Sequence, residues 1–120
     1  MSPSGETDLR RLLDTLSPRL DTERFTFATT EAFAADETTF ALIREDEAVT
    51  HVRADPDGDW ARITLTVQSS LEAVGLTAAV ASALGERGIP ANFIAAKFHD
   101  HLFVPWNRRE EALQALRALS

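Results

Sequence analysis

The sequence contains no cysteine. That absence excludes disulfide frameworks, thiolate nucleophiles and cysteine-based zinc or iron–sulfur sites. Long apolar runs are also missing. The richest window, VGLTAAVASALG, covers 12 residues and is interrupted by Thr77 and Ser82, too short for a membrane span. The opening MSPSGETD has neither a basic start nor an apolar stretch behind it, so no secretion signal is expected and a cytoplasmic address fits. Positive charge is scarce. Residues 1–60 hold 14 acidic against 6 basic side chains and residues 61–120 hold 5 against 6, so the net charge of -7 sits in the first half. Such a surface repels phosphate backbones, and the basic residues form no stripe interleaved with aromatics, so nucleic acid is not an expected partner.

What remains is an ordinary foldable domain. At 120 residues, 44% apolar and 26% charged, the chain can bury one core without staples. The acidic clusters Asp36-Glu37, Glu45-Asp46-Glu47 and Asp55 to Asp59 read as solvated turns. Calcium is the sharper alternative for DPDGD, but the segment lacks the ligand spacing and distal glutamate of an EF-hand loop.

Leu9, Leu12, Leu13 and Leu16 form the apolar stripe of a short helix, with Thr7 as a cap and Pro18 as a stop. Strand character follows at 25–29, 40–44 and 49–53. From Trp60, Ile63, Leu65 and Val67 alternate with Arg62, Thr64 and Thr66, the period of a strand with one buried face. Leu76, Ala79, Val80, Ala83 and Leu84 then follow helical spacing, and Gly88 and Pro90 signal the stop. Residues 91–97 and 102–105 read as a hairpin with its corner at 98–101. Asn107 with Glu110 resembles a capping box before a helix striped by Ala112, Leu113, Leu116 and Leu119. The second half therefore reads strand, helix, strand, strand, helix, a ferredoxin-like pattern whose fourth strand must come from the first half.

The stretch KFHDHLFVPW holds the most chemistry. His99 and His101 have a spacing that can bring two imidazoles to a metal, but no third ligand is evident, and Asp100 suits a hairpin corner where its carboxylate bonds local backbone. Ser69 and Ser70 sit where a strand turns into a helix without the surroundings of a nucleophile, and read as caps. In QSSLEAVGLT, Gly75 either lets a ligand approach the amides at a helix N-terminus or relieves crowding between helix and strand. Phe93, Phe98, Phe103 and Trp106 read as core or interface positions.

These same stretches, LTVQSSLEAVGLTAAVASAL followed by GIPANFIAAKFHDHLFVP, resemble the ACT-domain proteins, specifically small bacterial ones built from two ACT-like halves. They are also similar to the ACT modules of cytosolic arginine sensors, in which a loop ending in glycine precedes the first helix and a Phe-x-Asp-His turn precedes Val-Pro. LRRLLDTLSPRLDTERFTFAT and FALIREDEAVTHV resemble the family's leading half, which departs from the pattern at Ala48-Val49-Thr50 and is short between Arg53 and Trp60.

The resemblance implies an α+β, ferredoxin-like ACT fold with antiparallel sheets, helices packed on one face and tandem halves at 1–59 and 60–120. It further implies a non-enzymatic regulatory protein that binds an amino acid and pairs as a homodimer, with no cofactor and no metal. Carried over, the loop Ser69 to Thr77 with Ser70, Val74, Gly75 and Leu76 receives a carboxylate, Asp100 meets a cationic group, and Asn92, Ile94 and His99 are wall positions. Elementary electrostatics agrees, because a helix N-terminus favours negative charge and an aspartate favours positive charge, which together suit a zwitterion. Two other readings stand beside this one: an interaction or dimerisation module without a ligand, and a metal-dependent enzyme centred on His99, Asp100 and His101, which lacks a third ligand and a base.

Overall fold

The computed structural model describes residues 13, 14, 16–66 and 74–119. Most of the N-terminal helix expected from the leucine spacing, including Thr7, lies outside them; Leu13 and Asp14 are helical, and Leu16 is fully buried. The chain then runs through β1 (Pro18–Thr30), β2 (Thr39–Arg44), β3 (Val49–Ala54), β4 (Trp60–Leu65), α1 (Val74–Gly85), β5 (Asn92–Ala95), β6 (Asp100–Pro105), a 3-10 turn (Trp106–Arg108) and α2 (Arg109–Arg117). All strands lie in one antiparallel sheet of order β2-β3-β1-β4-β6-β5.

β1 is far longer than the apolar signal at 25–29, because it serves two partners. Its first residues, Pro18 to Leu20, pair with Leu65 to Ile63 of β4, whereas Phe25 to Thr30 pair with β3. The fourth strand of the second-half unit is thus supplied by the first half. Between Leu20 and Arg24 the register with β4 shifts, so Asp21, Thr22 and Glu23 bulge out of the ladder. A bulge resets the two-residue alternation, and this hides the strand's start from a reading based on periodicity.

Each face of the sheet carries its own core. Ala61, Ile63 and Leu65 of β4 and Leu102 and Val104 of β6 point to the helical face, where Leu76, Val80 and Leu84 of α1 and Ala112, Ala115 and Leu116 of α2 cover them. On the other face Phe25, Val52 and Phe103 form a second cluster with Phe27, Phe40, Trp60 and Ile94 around them. β2 and β6 stand four strand intervals apart, roughly 19 Å in a flat sheet. Nevertheless the Phe40 ring of β2 is 5.5 Å from Phe103 and 4.9 Å from His101, centroid to centroid. The sheet therefore curls over itself. This corrects the expectation that β4 has one solvent face, since Thr64 is only 2% exposed.

The ends of the helices differ in detail from the sequence reading. Past α1, Gly88 takes a left-handed φ of 66° and the Ile89 amide bonds back to the Leu84 carbonyl, a closure that suits glycine. The capping box at Asn107 does not form: α2 is capped at Arg108 without a side-chain bond, and Arg108 instead donates to Glu111 at 2.9 Å. The 3-10 turn occupies the residues that the cap would need.

Phe103 is fully buried with edge-to-face contacts to Phe25, Phe27 and Phe40. Phe103→Ala should lower unfolding free energy by about 3–5 kcal/mol in chemical denaturation, with Ile43→Ala, on the exposed side of β2, as a near-neutral control.

Candidate functional site

Leu65, the last residue of β4, pairs with Asp100, the first residue of β6. The position of α1 relative to this end of the sheet follows from its other end. Arg108 donates to the carbonyl oxygens of Arg87 at 2.9 Å and Gly88 at 2.8 Å, which holds the C-terminal side of α1 beside the end of β6. The helix is about 18 Å long by its rise per residue, close to the span of β6, so a course antiparallel to β6 would bring its first turn to the Asp100 end, where the chain also leaves β4. Amides of a first turn have no partner within their helix and carry the positive end of its dipole.

Here the residues singled out from sequence take their places. Val74 opens α1, Gly75 is exposed in its first turn, and Leu76 buries its side chain, which is therefore closed to a ligand. Ser70 and the rest of 67–73 lie outside the described residues. The hairpin corner is at Ala96 to His99, closed by the Ala96 amide on the His99 carbonyl at 3.1 Å, so Asp100 is a strand residue and does not cap the turn. Burial pushes the Asp100 carboxyl above the usual carboxylate range, and among the described residues no donor or cation is bonded to it. The His99 Nδ1 is buried and has no hydrogen-bond partner among the described residues.

The wall candidates do not share one face. Asn92 pairs with Phe103 and Ile94 with His101, on the aromatic face, whereas Asp100 alternates with Leu102 and Val104 on the helical face. Asp100 and His101 therefore point to opposite sides of the sheet, which separates the side chains a metal reading of the triplet would combine. Among the described residues no group of three His, Asp or Glu is close enough to hold a metal.

The aromatic face holds charged groups that periodicity assigned to solvent. Arg62 forms an ion pair with Asp21 from the β1 bulge, and its guanidinium lies 5.1 Å from the Phe25 ring centroid and 4.7 Å from that of Phe40. His101 shares a hydrogen bond of 3.1 Å with Thr64 through Nδ1. Burial, then Arg62, His99 and Arg19, push its pKa down to about 4. A polar residue in an alternating strand signals an open face only if no other strand folds over it, and here β2 does. Two adjoining hollows, of about 440 and 340 Å³, sit elsewhere, at the opposite end of β4 and β6 from Asp100, and share Arg24 and Trp106.

ACT-domain family models match residues 4–69 and 57–118 of this sequence. The chain belongs to the ACT-domain family. Domains of this family are regulatory, small-ligand-binding modules rather than catalysts. The two matches overlap across β4, the strand that pairs with both β1 and β6. A crystal structure of a Vibrio cholerae protein of unknown function, described as a possible transport protein, is similar at 40% identity and a TM-score of 0.77, over 96% of this ACT chain and 98% of that one. An Agrobacterium tumefaciens protein shares the fold at 22% identity and a TM-score of 0.63, over 81% and 83% of the two chains. The ligand-free regulatory subunit of aspartate kinase from Thermus thermophilus also shares it, at 10% identity and a TM-score of 0.52, over 98% and 84%. No sequence match was found among curated proteins. The ferredoxin-like α+β architecture of this ACT protein is thus established by its sheet order and by these matches together. No helix among its described residues is long and apolar enough to cross a membrane.

The depressed His101 has a definite pH signature. The unfolded chain takes up this proton near 6.5 and the folded protein only near 4, so stability is expected to fall as pH drops from about 6.5 and to level off below about 4. NMR titration of the His101 ring should show a midpoint near 4, and His101→Asn should flatten the pH dependence of the unfolding midpoint over that window.

Proposed function

We propose that this ACT protein is a non-enzymatic sensor that binds an amino acid between the first turn of α1 and Asp100, working as a cytoplasmic homodimer. What supports the reading is the partly buried Asp100 carboxylate, which makes no bond among the described residues, at the sheet end where the chain leaves β4 toward α1. Desolvating an aspartate without a partner costs stability, and a ligand ammonium group at that place would recover it. First-turn amides at Gly75 and Leu76 are suited to the ligand's carboxylate. Ser70 and His99 complete the proposed set from the loop and the turn. Asn92 and Ile94 lie on the other face of the sheet and fall outside this set.

Pairing has its own support. The exposed side of α1 presents Ala78, Ala81 and Ser82 without a charge, and among the described residues β2 and β5 are edge strands of the sheet. The ligand-free alternative, in which the fold serves only to pair chains, draws on the same surfaces and is separated by the experiment below.

Screening the amino acids by thermal shift at millimolar concentration should raise the melting temperature with at least one of them, and Asp100→Ala should abolish that rise. Asp100→Asn should also make the ligand-free protein slightly more stable at pH 7. The folded pKa is raised, so the cost of ionising Asp100 sets in as pH climbs from the unfolded value of 3.8 through the folded one, and the amide escapes it. A panel with no response would leave the pairing module as the reading.

A further inference from the structure

The hollow at the other end of the sheet is a built feature of the fold. The β1 bulge takes Thr22 and Glu23 out of the ladder with β4, Arg24 resumes the pairing opposite Ala61, and residues of the Asp55 to Asp59 loop line the same space. That loop passes so near β1 that a Cβ on Gly58 would lie 2.2 Å from the Phe25 carbonyl oxygen, so only glycine fits there. The approach has a consequence for Arg24: its Nε donates to the Gly58 carbonyl at 2.7 Å while its guanidinium lies 4.8 Å from the Trp106 ring centroid. Arg109 sits over the same ring at 3.8 Å and donates to the Trp106 carbonyl. Arg24 is thus held by its Nε and its stacking, and its terminal amino groups make no bond among the described residues.

Three kinds of surface meet in this space of about 440 Å³, within the range of small-molecule pockets. Ala54, Pro56 and Trp106 form apolar walls. Arg24 offers paired donors suited to a carboxylate. Glu23 offers an exposed carboxylate that is unbonded among the described residues, whereas the Asp55 carboxylate is already used by the Asp57 amide at 2.9 Å. A lone anion or a lone cation would meet one of the two free charges unfavourably. A molecule carrying both charges and an apolar group matches all three surfaces.

We propose that this groove is a second ligand site, distinct from the Asp100 end, and that it takes a small zwitterion with an apolar or aromatic side chain. Arg24 receives the carboxylate, Glu23 the ammonium, and Trp106 with Pro56 and Ala54 the side chain. The site does not depend on the Asp100 reading, and the test is made in Asp100→Asn protein so that the two fail separately.

Trp60 and Trp106 are the two tryptophans, so Trp60→Phe in that background leaves emission from Trp106 alone. L-phenylalanine at millimolar concentration should shift this emission saturably. Its analogues without the ammonium group (3-phenylpropanoate) or without the carboxylate (2-phenylethylamine) should bind more weakly by about tenfold or more. Arg24→Gln should weaken L-phenylalanine to a similar extent. Glu23→Gln, at an exposed position that leaves the fold intact, should weaken L-phenylalanine while sparing 3-phenylpropanoate. No change in Trp106 emission, equal binding of all three compounds, or full binding by the Glu23→Gln protein would each overturn the proposal.

Discussion

The antiparallel pairing of β1 with two different strands is the constraint on which the rest of the molecule depends. One stretch of backbone, Pro18 to Thr30, satisfies β4 along its first residues and β3 along its last. Because both sets of hydrogen bonds belong to one strand, the two halves of the chain cannot hold separate sheets. The bulge at Asp21 to Glu23 interrupts the β4 pairing, which resumes at Arg24 and Phe25 where pairing with β3 begins. Bulges strengthen local twist, which favours the curl that brings β2 over β6.

From the curl follow the electrostatics of the interior. A face that would otherwise be wet becomes lined by Phe25, Phe27, Phe40 and Phe103, and Arg62, Thr64 and His101 are enclosed with them. Each polar group then has to be accommodated singly. Arg62 is met by Asp21 and by two aromatic rings, while His101 remains neutral because protonation beside Arg62, out of water, is unfavourable. The bulge supplies Asp21 to this face and Thr22 and Glu23 to the groove by Trp106, so a single irregularity in one strand serves both regions.

The two ends of the β4–β6 pair accordingly have different characters. At one end a partly buried aspartate makes no bond among the described residues, where the chain leaves β4 toward a helix whose exposed side is small and uncharged. At the other, a guanidinium is fixed against a tryptophan by a loop that only glycine can complete. Family membership explains the general architecture and its regulatory character, while the particular charges at each end are properties of this chain's own residues.

Local pattern by itself determined the elements whose burial repeats without interruption: β2, β3, β4, α1 and the stripe of α2, together with the ferredoxin-like order of the second half and the need for a strand from elsewhere. Spacing carries this information because a helix or strand that buries one regular face writes its period into the chain. The early start of β1 was hidden by its bulge, and the capping box at Asn107 gave way to a 3-10 turn over Trp106–Arg108. Tertiary structure alone decided that Arg62, Thr64 and His101 are covered, that Asp100 and His101 part to opposite faces, and that Arg24 meets Trp106. Those outcomes depend on which distant strand closes over which face, and long-range closure leaves no periodic trace in the residues that it brings together.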